Sequence, residues 1–108
     1  NVHYFINSEK RRKIHLAAVF ACNFTNYMYQ LADEIISEAQ VPFDVLLPLI
    51  QETADKVRFL SPSKAQTGPA VRKDEITIQN HLELLKTNDN ARNIYQTISE
   101  QIKESHSS

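Results

Sequence analysis

From Ile14 to Ala32 the chain carries no Lys, Arg, Asp or Glu, although 23% of its residues are charged. Apolar residues recur there at three- and four-residue steps, which is the period of a helix. The stretch reads as one long helix running from Ile14 to about Ala39, and as a core element around which the rest of the chain is arranged. At about 100° per residue, Ala17, Phe20, Phe24, Met28, Leu31 and Ile35 share one broad apolar face. His15, Val19, Cys22, Asn23, Asn26, Gln30 and Asp33 fall opposite. A solvated face would carry Lys and Glu. This one carries a histidine and amides, so it is expected to lie against something partly polar: a cleft, a partner subunit or another domain.

The length of 108 residues suits one domain with a modest core. A hydrophobic content of 42% with a net charge of −1 describes a globular chain. That near-neutral balance argues against nucleic acid or an anionic membrane as a partner. The run Lys10-Arg11-Arg12-Lys13 is read as a solvated first turn, with a phosphate or partner patch as the alternative. The single cysteine, Cys22, can form no internal disulfide, which fits a reducing cytoplasm. Mid-helix, it is read as a buried small apolar residue. The uncharged stretch approaches the length of a membrane span, but His15, Asn23, Asn26 and Gln30 make insertion costly. The chain starts at Asn1 rather than Met, in a stretch that reads as mid-sequence, so a fragment of something longer is expected.

Along the chain, Asn1 to Asn7 reads as a strand end or linker. Ser8 is the expected N-cap of the long helix, with Glu9 in its first turn. Val41-Pro42 should end that helix. Phe43 to Leu60 forms a second helical region, in which Phe43, Leu46, Leu47, Ile50, Ala54, Val57 and Leu60 make a core-facing stripe. Pro48 inside it predicts either a kink or a short first turn with a fresh helix opening there. Ser61 to Lys73 is the longest break and holds the only glycine, Gly68, at a place that suggests unusual dihedrals or close approach. Asp74 should cap a helix over Glu75–Lys86, with Ile78, Leu82 and Leu85 inward. Asn88 to Asn90 turns the chain into a last helix over Ala91–Lys103, burying Ile94, Tyr95, Ile98 and Ile102. The tail after it should fray. The fold class is all-α: one long central helix with three or four shorter ones around it.

Motifs for a zinc protease, a CxxC pair, a nucleophile elbow or a dinucleotide fingerprint are missing. His3, His15, His81 and His106 are too scattered for a metal set. Two clusters remain: His15 with Asn23 and Asn26 on the long helix, and the loop from Gln66 to Asp74.

HLAAVFACNFTNYMY, followed later by SPSKAQTGPAVRKDEITIQNHLELL, resembles the C-terminal helical domain of Rossmann proteins assigned as NAD(P)-dependent oxidoreductases. This is the domain of unknown function 2520 type. Such proteins are similar to coenzyme-F420-dependent NADP reductases. More distantly they resemble ketopantoate reductase, pyrroline-5-carboxylate reductase and the 6-phosphogluconate dehydrogenase superfamily, whose C-terminal-domain-like fold is then expected here. The resemblance runs from about Asn7 to Ile102 and rests on H-x-A-A-x-x-x-x-N together with T-G-P-x-x-R-x-D. It implies an N-terminal Rossmann domain that holds NADP or NAD, no cofactor bound by this chain alone, and a homodimer formed through the long helix. It implies that His15 and Asn23 stand at the catalytic side of the cleft. Asn26, Thr67, Gly68 and Arg72 would contact substrate, with the loop nearby or bracing the subunit interface. One departure stands out. Members of the superfamily place a lysine one turn before the asparagine, and if Asn23 is that asparagine the lysine position is Val19. No lysine occurs between Lys13 and Lys56, so His15 or a residue of another domain would have to handle the proton.

The residues themselves leave alternatives open. His15 reads either as a cleft acid or base, or as a neutral histidine bonded within an interface. Asn23 and Asn26 read as substrate contacts or as polar contacts between subunits. Arg72 and Asp74 read as a pair that holds the loop, with substrate anchoring by Arg72 as the rival; His81, Tyr27, Tyr29 and Tyr95 read as packing residues. Three functions compete: the substrate-side and dimerisation domain of an NAD(P)-dependent oxidoreductase, inactive alone; a stand-alone helical protein–protein interaction module; and a small enzyme using His15.

Overall fold

The computed structural model describes residues 7–107, and the expected strand or linker at the N-terminus, with His3, lies outside them. Every regular element among the described residues is helical, as the sequence pattern requires. The chain divides into two compact units, the first ending at Leu47 and the second starting at Pro48.

The first unit is dominated by a continuous helix of 31 residues. It consists of α1 (Ser8–Ala18), a π-helical stretch (Val19–Phe24) and α2 (Thr25–Glu38). Its N-cap is Asn7 rather than Ser8: the Asn7 side chain accepts a hydrogen bond from the Lys10 amide at 2.9 Å. Ser8 becomes the first helical residue, since Asn caps as well as Ser and sits one residue earlier. The π-helical stretch changes the phase of the whole of α2. One extra residue enters the turn, so α2 is rotated relative to α1 by roughly one residue's worth, ~100°. Thr25 marks the insertion: its hydroxyl donates to the Phe20 carbonyl five residues back at 3.3 Å. A wheel drawn at constant phase therefore does not carry across Val19–Phe24, and His15 lies on a different line from Asn26 and Gln30.

The helix ends on a Schellman motif. The Gln40 amide bonds to the Ser37 carbonyl (2.9 Å) and the Val41 amide to the Ile36 carbonyl (3.3 Å). Gln40 takes the left-handed position, φ 58°, that glycine usually fills. A single 3-10 turn (Phe43–Leu46) then packs back on α2, and only Leu31 of the long helix is buried.

The second unit begins within α3 (Leu47–Lys56), where Pro48 occupies the first turn and so needs no amide partner. The short turn followed by a fresh helix is the outcome the proline dictates. None of the stripe from Phe43 to Leu60 is fully buried, and Leu47, Val57 and Leu60 stay exposed within this chain. A short helix, α4 (Pro62–Ala65), lies inside the break after it. The helices α5 (Glu75–Leu84) and α6 (Asp89–Ser105) pack together. Asp74 caps α5 as expected. Asn88 proves to be the cap of α6 rather than part of a free turn, accepting from the Ala91 amide at 3.1 Å. The core is Ala70, Ile78 and Leu82, with Tyr95 and Ile102 against it; Ile98 is exposed instead. The tail does not fray where expected. The α6 helix continues to Ser105, and His106 reaches the Ser63 carbonyl at 3.0 Å.

Candidate functional site

The sequence-predicted site residues divide between the two units. His15, Asn23 and Asn26 belong to the first; Thr67, Gly68 and Arg72 belong to the second. In the first unit all three side chains are exposed, and none of them bonds to another described residue. His15 lies in the last turn of α1, inside the continuous helix, and its carbonyl accepts from the Val19 amide at the start of the π-helical stretch. Asn23 and Val19 both lie in the π-helical stretch, the kind of insertion that recurs at functional sites. Cys22 lies there too and is exposed, which corrects its reading as a buried apolar residue. Asn26 lines a shallow groove of about 240 Å³ with Tyr29, Gln30, Asp33 and Phe43. The first four occupy successive i, i+3, i+4 and i+7 positions of α2, all past the rotation, so they remain on one line. Phe43 closes one wall because the Schellman turn folds the 3-10 turn back on α2.

In the second unit the loop from Gln66 to Asp74 is shaped by two left-handed residues, Gly68 (φ 106°) and Lys73 (φ 56°). A Cβ on Gly68 would meet nothing within 4 Å, so glycine is required there by the dihedral and not by crowding. Ala70 is buried in the core and anchors the loop. Beyond Lys73 the chain enters α5, and Asp74 accepts from both the Thr77 amide (3.1 Å) and the Thr77 hydroxyl (2.8 Å). These bonds, the amide first, hold its carboxyl below the usual carboxylate range. Arg72 approaches Asp74 only to 3.9 Å, and 61% of its side chain is exposed. A loose, exposed pair of this kind contributes little to stability, which leaves the guanidinium available to something else.

One contact had no signal in the sequence. The His81 ring and the Tyr95 hydroxyl meet at 2.7 Å (Nδ1···Oη), with the two rings edge to face at 5.6 Å. Burial, and then the charge of Asp74, pushes the Tyr95 phenol above its ordinary value. Their fourteen-residue separation places them on different helices, and no local pattern links them. No cluster of His, Cys, Asp and Glu among the described residues could hold a metal ion. No helix there is long and apolar enough to cross a membrane.

The model of the family described as Domain of unknown function (DUF2520) matches residues 1–102. A crystal structure described as "putative NADP oxidoreductase BF3122 from Bacteroides fragilis" superposes with a TM-score of 0.90 at 52% sequence identity. The alignment covers 94% of this chain and 39% of that one, so the chain spans well under half the length of its structural relative. No curated protein matches.

Proposed function

Because the chain belongs to the DUF2520 family, we propose that it is the substrate-side and dimerisation domain of an NAD(P)-dependent oxidoreductase, inactive alone. The observation that carries this reading is the long uncharged helix left bare in the single chain. Ile14, Leu16, Phe20, Phe24 and Ile35 are 55%, 54%, 62%, 50% and 44% exposed, and Phe20 and Phe24 touch edge to face at 5.0 Å. Apolar surface of that kind is stable in water only when something covers it. A second copy of the same helix is the cover proposed, in a cytoplasmic homodimer.

The Bacteroides relative is more than twice as long and is described as a "putative NADP oxidoreductase", which supports an N-terminal Rossmann domain preceding this one. The residues of this chain do not fit the dinucleotide. Pyrophosphate recognition needs a glycine-rich turn that opens directly into a helix N-terminus. Here the one glycine is followed by a loop, and the α5 N-terminus is already occupied by the Asp74 carboxylate, which would repel a phosphate. No step through the cofactor is therefore assigned to these residues. Their proposed part is on the substrate side: in the first unit the Asn26 groove on α2, with Asn23 in the π-helical stretch and His15 on α1, and in the second unit the Thr67–Gly68–Arg72 loop. Val19 can neither donate nor relay a proton, so on this reading the proton comes from His15 or from the other domain.

Two measurements test the proposal. Sedimentation of this chain should show a dimer at micromolar concentration, and a clean monomer at high micromolar concentration would remove the dimerisation role. NADPH oxidation should be absent for this chain, and measurable turnover by it would overturn the assignment of a domain inactive alone.

A further inference from the structure

We infer that two copies of this chain pair antiparallel along the long helix, about a two-fold axis between Phe20 and Phe24, with the basic start of each helix against the acidic end of the other. The inference rests on the proposed dimerisation role and adds to it the direction of the pair and the groups that fix it. The charges of the helix are gathered at its two ends. Lys10, Arg11, Arg12 and Lys13 together with Glu9 give its first turns a net charge of +3. No Lys, Arg, Asp or Glu follows until Asp33, Glu34 and Glu38, which give its last turns −3. Among the described residues no ion pair within the chain uses Arg12, Lys13, Glu34 or Glu38, and all four are exposed.

These charges share a face with the bare apolar residues. Arg12, Leu16, Phe20 and Phe24 follow one another at four-residue steps, and Tyr27, Glu34 and Glu38 continue at steps of three, seven and four, which keeps them along one line of the helix. The π-helical stretch does not interrupt that line, because Phe20 and Phe24, at the two ends of its turn, touch edge to face at 5.0 Å. The spacing along the axis agrees. At about 1.5 Å per residue, Arg12 lies ~15 Å before the midpoint of the two rings and Glu34 ~18 Å beyond it. A two-fold interface uses the same patch on both copies, so each copy's Arg12 comes level with the other's Glu34 to within about 3 Å along the axis. A parallel pair would instead set +3 against +3 at one end and −3 against −3 at the other, and would align the two helix dipoles. Only the antiparallel direction turns both clusters into attraction.

The test combines sedimentation equilibrium with a distance measurement on the 108-residue chain. Reversing one cluster, with Arg12→Glu and Lys13→Glu together, should raise the dimer Kd by roughly tenfold at low salt. Adding Glu34→Lys and Glu38→Lys to that variant should restore the parent Kd. All four positions are exposed on the helix, and unchanged helicity by circular dichroism will show that the fold is intact. Raising NaCl from about 0.05 to 0.5 M should weaken the parent dimer, because screening removes an attraction. In a Cys22→Ser chain labelled with nitroxide at Ser37→Cys, the two labels should lie about 45 Å apart in the antiparallel pair, against under about 20 Å in a parallel one. A dimer with the short distance, a Kd unmoved by the double reversal, or a dimer tightened by salt would overturn the antiparallel inference and leave the dimerisation role standing. A monomer at high micromolar concentration would remove both, with the bare face then covered by a different part of the full-length protein.

Discussion

Substituting Phe20 by serine is the perturbation that most directly probes the bare helix. Phe20 is 62% exposed in the single chain. With roughly 200 Å² for a phenylalanine side chain, about 120 Å² remains to be covered by a partner. At ~25 cal/mol per Å², that burial is worth about 3 kcal/mol per copy, and a two-fold interface counts it twice. Incomplete coverage and the ordering of side chains reduce such figures, so about 3 kcal/mol in total is a fair expectation, or a rise of roughly a hundredfold in the dimer Kd. Sedimentation equilibrium across a concentration series reads that change. Thermal unfolding of the dilute monomer should move little, because Phe20 packs mainly on Phe24 in its own chain and such a pair on a helix surface contributes only about 0.5 kcal/mol. Phe20→Ser dimerising as tightly as the parent chain would refute the argument, since the largest bare ring at the middle of the helix would then lie outside the interface.

The geometry sets four further expectations. Gln40→Gly should stabilise the chain by about 0.5–1 kcal/mol in urea unfolding, because the left-handed position at φ 58° costs a side chain more than the added flexibility of glycine. Gly68→Ala should lose about 1–2 kcal/mol, and Gly68→Lys about the same. The space around that Cβ is open, so a loss that grows with side-chain size would point to a clash and refute the dihedral argument. Asp74→Ala should lower Tm on the order of 5 °C by removing the α5 cap. In the parent chain Asp74 is held below its ordinary value by the Thr77 amide and then its hydroxyl, so its contribution is present above the unfolded carboxylate pKa and fades as pH falls through the lower folded one. His106 runs the other way. The Ser63 carbonyl, then the Ile102 carbonyl, raise its pKa, so the α4–α6 tie is fully formed below the unfolded histidine value of 6.5 and is lost as pH rises through the folded one. Amide exchange at residues 61–65 should accelerate across that window and become flat in His106→Gln.

What could be read from the sequence was what local chemistry decides. Asp74 caps because a carboxylate three residues before Thr77 reaches its amide, and Pro48 opens a helix because an N-terminal turn does not need its missing N–H. The all-α class came from period alone. The burial of the long helix was not legible, because a periodic apolar face states that cover exists without saying which molecule supplies it. The His81–Tyr95 bond joins two helices that each read as ordinary packing elements. The Schellman turn at Gln40 had no glycine to announce it.

The π-helical stretch left no trace either, since it depends only on which carbonyl each amide selects. Yet it determines how the polar residues of the long helix should be grouped. At constant phase His15 and Asn26 would stand almost in line; after a rotation of ~100° they do not. Asn26, Gln30 and Asp33 stay together and line a groove with Phe43, while His15 turns with α1 toward another side. On the proposed function this is an advantage rather than a defect. A straight helix of 31 residues presents one apolar stripe and one polar stripe along its whole length. A helix rotated at Val19–Phe24 can turn the polar residues of α1 and the amide-lined groove of α2 to different sides. Val19, the residue one turn before Asn23, lies inside that rotation.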